Sequence, residues 1–279
     1  MWKATNKLSL AACIASAGAL TMTGYSATLT WDAGGSDGIW QTAGNWDSDT
    51  VPATNDDVII NNGDTVTYSP GDDLKVEGGG SVTVSGGSTL TQSTSHWAQV
   101  NGGQFTLNNS ALNFTHANNK LVLGLTTSSS ATFVATNSTV SLAGELWLGH
   151  NSNTGNQVIS MDLTNSSIDA NGVVGIWFWD TDASGNDFTL NINGGGTTIE
   201  GRVGRRNSVS GQENDVSWET LWNEGILTYN GSNDGEFADY FITSGTPGTT
   251  GYVLTSVPEP SSAALIGLAG VGFILRRRR

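Results

Sequence analysis

The chain has 279 residues, only 13% of them charged, with 37 glycines and a formal net charge of −14. Such an acidic chain excludes nucleic acid and anionic lipid as partners of its body. Low charge combined with modest hydrophobicity fits many short strands joined by polar turns, not the highly charged kind of disorder. The one cysteine, Cys13, lies near the start, so removal of a leader leaves a body with no disulfide and no thiolate metal site.

Residues 1–26 read as a secretory signal peptide. Lys3 and Lys7 form a basic start, Leu8 to Met22 is mostly apolar and small, and Gly24 and Ser26 supply small residues before Ala27. Leu10-Ala11-Ala12-Cys13 also has the form of a lipobox, but the apolar run before the cysteine is short. Export through the Sec machinery is expected. Six of the eleven basic residues lie at the two ends; between Ala27 and Val257 five basic residues face twenty-four acidic ones, about −19.

Residues 27–57 gather Trp31, Trp40 and Trp46 among glycines, followed by Pro52 and Asn55-Asp56-Asp57. The order W-D-x-G-G, W-x-x-x-x-N-W, P, D-D-V-I-I resembles the start of many exported bacterial β-solenoid proteins. In physical terms the first coil of a solenoid has an open core and an unpaired edge, and bulky indoles on a looped strand would cap both.

Residues 58–230 carry the repeat. Gly or Asn, then Ser or Thr, then any residue, then an aliphatic recurs as Gly87-Ser88-Thr89-Leu90, Asn109-Ser110-Ala111-Leu112, Asn137-Ser138-Thr139-Val140, Asn165-Ser166-Ser167-Ile168 and Gly196-Thr197-Thr198-Ile199, at spacings of 22, 28, 28 and 31 residues. Each copy reads as one corner of a coil, where a sharp turn needs positive φ and Gly or Asn tolerates it. Between corners, triplets with apolar outer residues recur: Leu74 to Val76, Ala98 to Val100, Leu121 to Leu123, Leu146 to Leu148 and Ile176 to Phe178. Period-two alternation turns the outer two inward. A second set reads Val82 to Val84, Phe105 to Leu107, Thr132 to Val134, Met161 to Leu163 and Phe188 to Leu190. The fold expected is all-β: a single right-handed parallel β-helix or solenoid with an N-terminal cap, since one coil cannot bury its own apolar face but five or six stacked coils can. A lectin-like sandwich is the alternative.

The outward column of the first triplets runs Lys75, Gln99, Val122, Trp147 and Trp177, with Trp179 two residues on. Trp147, Trp177 and Trp179 are therefore candidate sugar-stacking residues, unless a loop or the C-terminal segment packs over them. After Glu200 the pattern fades. Trp218, Leu221 and Trp222 suggest an amphipathic far cap, and residues 231–256 hold final strands, including Asp239-Tyr240-Phe241-Ile242, and a spacer.

For chemistry, the three histidines His96, His116 and His150 are scattered, and His150 reads as a surface-turn histidine. Asp56-Asp57 and Asp72-Asp73 read as solvated turn acids, since strand neighbours point to opposite faces and cannot form an acid–base pair. Asp180-Thr181-Asp182-Ala183-Ser184-Gly185 matches the first half of a calcium loop, with Asp180, Asp182, Ser184 and Asp187 as candidate ligands. No other cofactor is expected.

The tail, residues 257–279, reads Val257-Pro258-Glu259-Pro260, two serines, an apolar run from Ala263 to Leu275, and Arg276, Arg277, Arg278 and Arg279. The apolar run is short for a bilayer span, and the arginines would stay cytoplasmic. Order, spacing and position resemble the PEP-CTERM sorting signal. The resemblance implies recognition through Val257, Pro258, Glu259 and Pro260, transient inner-membrane insertion, and cleavage by an exosortase-type transpeptidase or protease. Release to the cell surface or extracellular matrix follows, in bacteria that make exopolysaccharide. The expected function is a non-enzymatic structural or adhesive surface protein associated with exopolysaccharide; a polysaccharide lyase or hydrolase, or a carbohydrate-binding protein, is the alternative.

Overall fold

The computed structural model of the chain describes residues 26–69, 71–126, 130–150, 157–172, 175–179, 186–206 and 213–257. The leader, including Cys13, therefore lies outside the described residues, as do Asp180, Asp182 and Ser184, Pro258 to Pro260 and the four terminal arginines.

The chain winds into a parallel β-solenoid of about 6 turns. Three sheets run its length. The first contains Thr28–Thr30, Asp57–Ile60, Ser81–Ser85, Gln104–Asn108, Ala131–Thr136, Val158–Thr164, Asp187–Asn193 and Leu227–Tyr229. The second contains Leu74–Glu77, Trp97–Asn101, Lys120–Leu123, Glu145–Leu148, Gly175–Trp179, Val203–Arg206 and Glu213–Asp215. The third contains Thr65–Thr67, Thr89–Gln92, Ala111–Phe114, Thr139–Leu142, Ser167–Asp169, Thr198–Glu200, Val253–Ser256 and Phe241–Ser244. Pairing is parallel except at the C-terminal end, where Glu213–Asp215, Val253–Ser256 and Phe241–Ser244 run antiparallel and close the stack.

The register stacks the expected inward residues. Leu74, Ala98, Leu121, Leu146, Ile176 and Val203 pair in succession along the second sheet. Val66, Leu90, Leu112, Val140, Ile168 and Ile199 do so along the third. These side chains form one buried core, and each coil buries its apolar face only against the next.

The corners follow the predicted mechanism. Asn109, Asn137 and Asn165 have φ of 50°, 49° and 45°, and Gly87 and Gly196 are also positive. The Asn165 amide donates to Asn137 Oδ1 at 2.8 Å. A Cβ on Gly196 would sit 2.6 Å from Asn165 Oδ1, so the side-chain ladder ends where glycine takes over. The following hydroxyl is buried and joins one coil to the next. Ser110 N–H donates to Ser138 Oγ (3.2 Å), Ser138 N–H to Ser166 Oγ (3.1 Å), Ser166 N–H to Thr197 Oγ1 (3.3 Å) and Thr197 N–H to Ser256 Oγ (2.9 Å).

The N-terminal cap is built as its physics requires. Trp31, Trp40 and Trp46 are buried and meet edge to face, at 5.1 Å for Trp31–Trp46 and 4.8 Å for Trp40–Trp46. Trp46 Nε1 donates to the Trp40 carbonyl and Trp31 Nε1 to Asp64. At the other end, helix Trp218–Asn223, capped by the Ser217 hydroxyl, buries Trp218, Leu221 and Trp222.

Three local expectations need correction. The strand at 132–134 is shifted by one: Phe133, not Thr132, pairs with Phe105, and Val134 faces outward opposite Thr106. Phe188 pairs with Ile159, so Leu190 and Ile192 are the partners of Met161 and Leu163. Residues Phe237–Tyr240 form a helical turn, and the strand begins only at Phe241. At 133–135 and 240–242 consecutive apolar or aromatic residues leave the period ambiguous, and at 188–192 three alternating apolar residues leave the register open.

Candidate functional site

The coils lengthen at one corner. The connection from the second sheet to the first is residues 102–103 after strand Trp97–Asn101, but 124–130, 149–157 and 180–186 in later coils. Beside these connections, on the outward face of the second sheet, lies a second and smaller apolar cluster: Val122, Trp147, Trp177 and Trp179, with Trp97 and Leu125 against it.

Of the two readings of the indole column, sugar stacking or covering by a loop or the C-terminal segment, the burial fits the second. Trp147, Trp177 and Trp179 are 7%, 0% and 9% exposed. Trp147 meets Trp97 and Trp179 edge to face, each at 5.3 Å, and His150 stacks on it at 5.5 Å. The Arg206 guanidinium lies 4.1 Å over Trp177, Arg202 5.0 Å over the same ring, and Lys120 5.0 Å over Trp147. These cations are held by acids. Lys120 Nζ and Arg206 each reach the buried Glu145 carboxylate at 2.9 Å, Arg206 also reaches Glu213 at 2.8 Å, and Arg202 binds Asp215 at 2.7 Å. Four of the five basic residues of the body (Lys75, Lys120, Arg202 and Arg206) stand on this face. The indole N–H groups of Trp147, Trp177 and Trp179 find no acceptor among the described residues.

His150, half-buried at the start of the 149–157 connection, packs its ring against this cluster. Desolvation by its aromatic neighbours pushes its pKa below the usual histidine value. His96 lies 3.6 Å from Asp73, and His116 helps close a turn by accepting from Asn118 N–H.

The paired acids serve the fold. Asp56 accepts from the Ala27 and Ala53 N–H groups, Asp57 from the Ser26 and Ser81 hydroxyls, and Asp73 from Trp97 N–H and Gln99 Nε2. Burial drives the Tyr68 phenol, whose hydroxyl donates to the Asp73 carbonyl, up to about 12. Among the described residues no group of three His, Cys, Asp or Glu side chains is placed to hold a metal ion. Asp187, the one described member of the candidate calcium set, is exposed and donates its N–H to the Gln157 carbonyl.

The end of the body is as well tied as its middle. Ser256 N–H donates to the Thr197 carbonyl at 2.9 Å, and Val257 N–H to the Tyr240 carbonyl at 2.8 Å. The tail thus departs directly from a paired strand. Among the described residues no helix is long and apolar enough to cross a membrane.

Residues 256–279 match the PEP-CTERM protein-sorting motif. The chain carries an exosortase sorting signal. It is an exported protein with a β-solenoid body, sorted by way of the membrane. No curated protein and no solved structure matches the chain. The sorting residues Val257 to Pro260 were legible from their order alone. The closure of the indole face was not, because Arg206, which lies across Trp177, is remote in sequence from Trp147 and Glu145.

Proposed function

We propose that this exosortase-sorted solenoid acts as a non-enzymatic structural or adhesive component of the cell surface or extracellular matrix, associated with exopolysaccharide. The observation that carries the reading is the junction at residues 256–257. The sorting motif starts on the last residue of a strand that completes the third sheet, so the element delivered by sorting is a stiff, closed rod. Its acids near the first coil are spent on backbone N–H groups and hydroxyls, the work of a scaffold.

The test compares the chain in its host with and without the exosortase. With the enzyme, mass spectrometry should find a C-terminus close to Val257, and the protein should cosediment with the matrix polysaccharide. Without it, the chain should stay full-length in the membrane fraction. Release with Arg279 still present would overturn the sorting part. A soluble, polysaccharide-free protein would overturn the matrix part, and new reducing ends or unsaturated products from any polysaccharide would favour the lyase or hydrolase alternative.

A further inference from the structure

The outward face of the third sheet differs from the other two. One column, read through the register, is Thr65, Thr89, Ala111, Thr139, Ser167, Thr198 and Thr255. Apart from Ala111 every member carries a hydroxyl, and all are half-buried or exposed. Among the described residues none of these hydroxyls has a side-chain hydrogen bond, whereas the polar groups on the first sheet's outward face bond one another. There Ser160 Oγ meets Thr132 Oγ1 at 3.2 Å, Asn191 Nδ2 meets Asp162 Oδ1 at 2.8 Å, and Gln104 Nε2 meets Thr106 Oγ1 at 2.9 Å. The neighbouring column of the third sheet begins Thr67, Thr91, Asn113 and Ser141. Only Thr91 is spent there, donating to the Asn113 carbonyl. Acids enter this face only at Asp169 and Glu200, so its first four coils are uncharged in a body of about −19.

From this we infer that the third sheet's outward face is a docking surface for a neutral, repeating polyhydroxyl chain, that is, an uncharged polysaccharide. The inference rests on the matrix reading above and names the surface and the ligand class. Strand propensity favours threonine over Lys, Glu and Asp at such positions, yet solubility favours outward charge, and the other two sheets carry it at Lys75 and Asp162. An uncharged face suits an uncharged partner, and an acidic polymer would meet the repulsion of the surrounding body. Thr65 lines a cavity at the cap end together with Trp31, Ser36 and Asp64, and from Thr89 onward the column is a row of strand positions rather than an enclosure for a small molecule. What it offers is one weak site per coil, repeated at about 4.8 Å over roughly 29 Å, and identical weak sites become strong only toward a polymer that engages many at once. Threonine χ1 is stiff and the strands are rigid, so the donors and acceptors are arranged before binding and little ordering is lost.

The test is affinity electrophoresis of the mature protein through gels containing hydroxyethyl cellulose, a neutral glucan, or polygalacturonate, an acidic one. The triple variant Thr89→Val, Thr139→Val, Thr198→Val keeps the β-branched shape and removes three hydroxyls. Thr83→Val with Thr106→Val removes hydroxyls from the first sheet's face as a control, and thermal melts establish that all three proteins fold. The neutral glucan should retard the wild type and the control alike. The triple should bind about a hundredfold more weakly, at about fivefold per hydroxyl, and polygalacturonate should retard none of them.

Undiminished binding by the triple overturns the inference, as does stronger retardation by polygalacturonate, or no retardation by either polymer. Sedimentation showing a wild-type dimer that the triple abolishes also overturns it, assigning the face to a second copy of the chain. If the triple still cosediments with native matrix polysaccharide, only this face assignment fails. If the wild type itself does not cosediment, the matrix reading fails.

Discussion

At the scale of single residues, two environments decide most of what is unusual here. The corner asparagines sit at positive φ because the coil must turn sharply where no strand can continue. That requirement is local, so the Gly/Asn-Ser/Thr pattern was readable without coordinates. His150 shows the opposite. Its ring is placed by Trp97, Trp147 and Trp179, which come from three different strands, with Lys120, Glu145 and Arg206 around the same indoles. Trp147 lies only three residues before His150, but Trp97, Trp179, Lys120 and Arg206 are remote in sequence, so the local sequence does not announce the cluster. Because burial lowers its pKa in the folded protein, the unfolded chain takes up a proton at higher pH than the native one. Its contribution to stability is therefore complete above the unfolded value, about 6.5, and is lost as pH falls below it. Thermal melts between about pH 7 and about pH 5 should show a falling Tm, and His150→Phe, which keeps an aromatic ring on Trp147, should flatten that slope. An unchanged slope in the variant would remove His150 as the cause.

At the scale of elements, the second sheet pays twice for its position, packing the main core inward and a small aromatic cluster outward. Its strands Glu145–Leu148 and Gly175–Trp179 are buried on both faces. Period-two reading found their inward residues correctly but left the outward indoles between two readings, open for sugar stacking or covered by later chain. Whether they are covered depends on the next coils and on hairpin Val203–Arg206 with Glu213–Asp215, which brings Arg206 over them. Gly204 is what lets the cluster close. A Cβ there would lie 2.4 Å from Trp177 Cζ3 and 2.9 Å from the Asn214 carbonyl oxygen. Gly204→Ala must therefore displace an indole or the hairpin, at a cost of about 1–3 kcal/mol by overpacking. Unfolding in denaturant should report that loss together with a shift in tryptophan emission. Gly71→Ala, where the new methyl meets nothing within 4 Å, should do neither.

At the scale of the whole molecule, a stack of coils is held by neighbour-to-neighbour contacts, so its ends control how far fraying spreads. On the third sheet the C-terminal end is closed by strand Val253–Ser256, with Phe241–Ser244 paired outside it. Val253–Ser256 pairs antiparallel with Thr198–Glu200, buries Leu254 fully, and fills the last place in the buried hydroxyl ladder with Ser256. Removing residues 253–279 takes away a fully buried leucine, the hydrogen bonds at Thr197 and Tyr240, and the covering of Ile199. Leucine burial alone contributes roughly 1.5–3 kcal/mol and each lost hydrogen bond about 1 kcal/mol. The shortened chain should then melt roughly 6–12 °C lower than one ending at Val257. The loss should also be uneven. Hydrogen exchange should quicken around Ile199, Trp218 and Leu227, while the strands from Asp57–Ile60 to Glu145–Leu148 keep their protection. Equal acceleration along every coil would mean that the rod unfolds as one unit and that its last strand guards the whole of it. Either result bears on sorting, because the sorting motif begins on the last residue of this strand, and a cut that reached back to Leu254 would release a body already opening at its end.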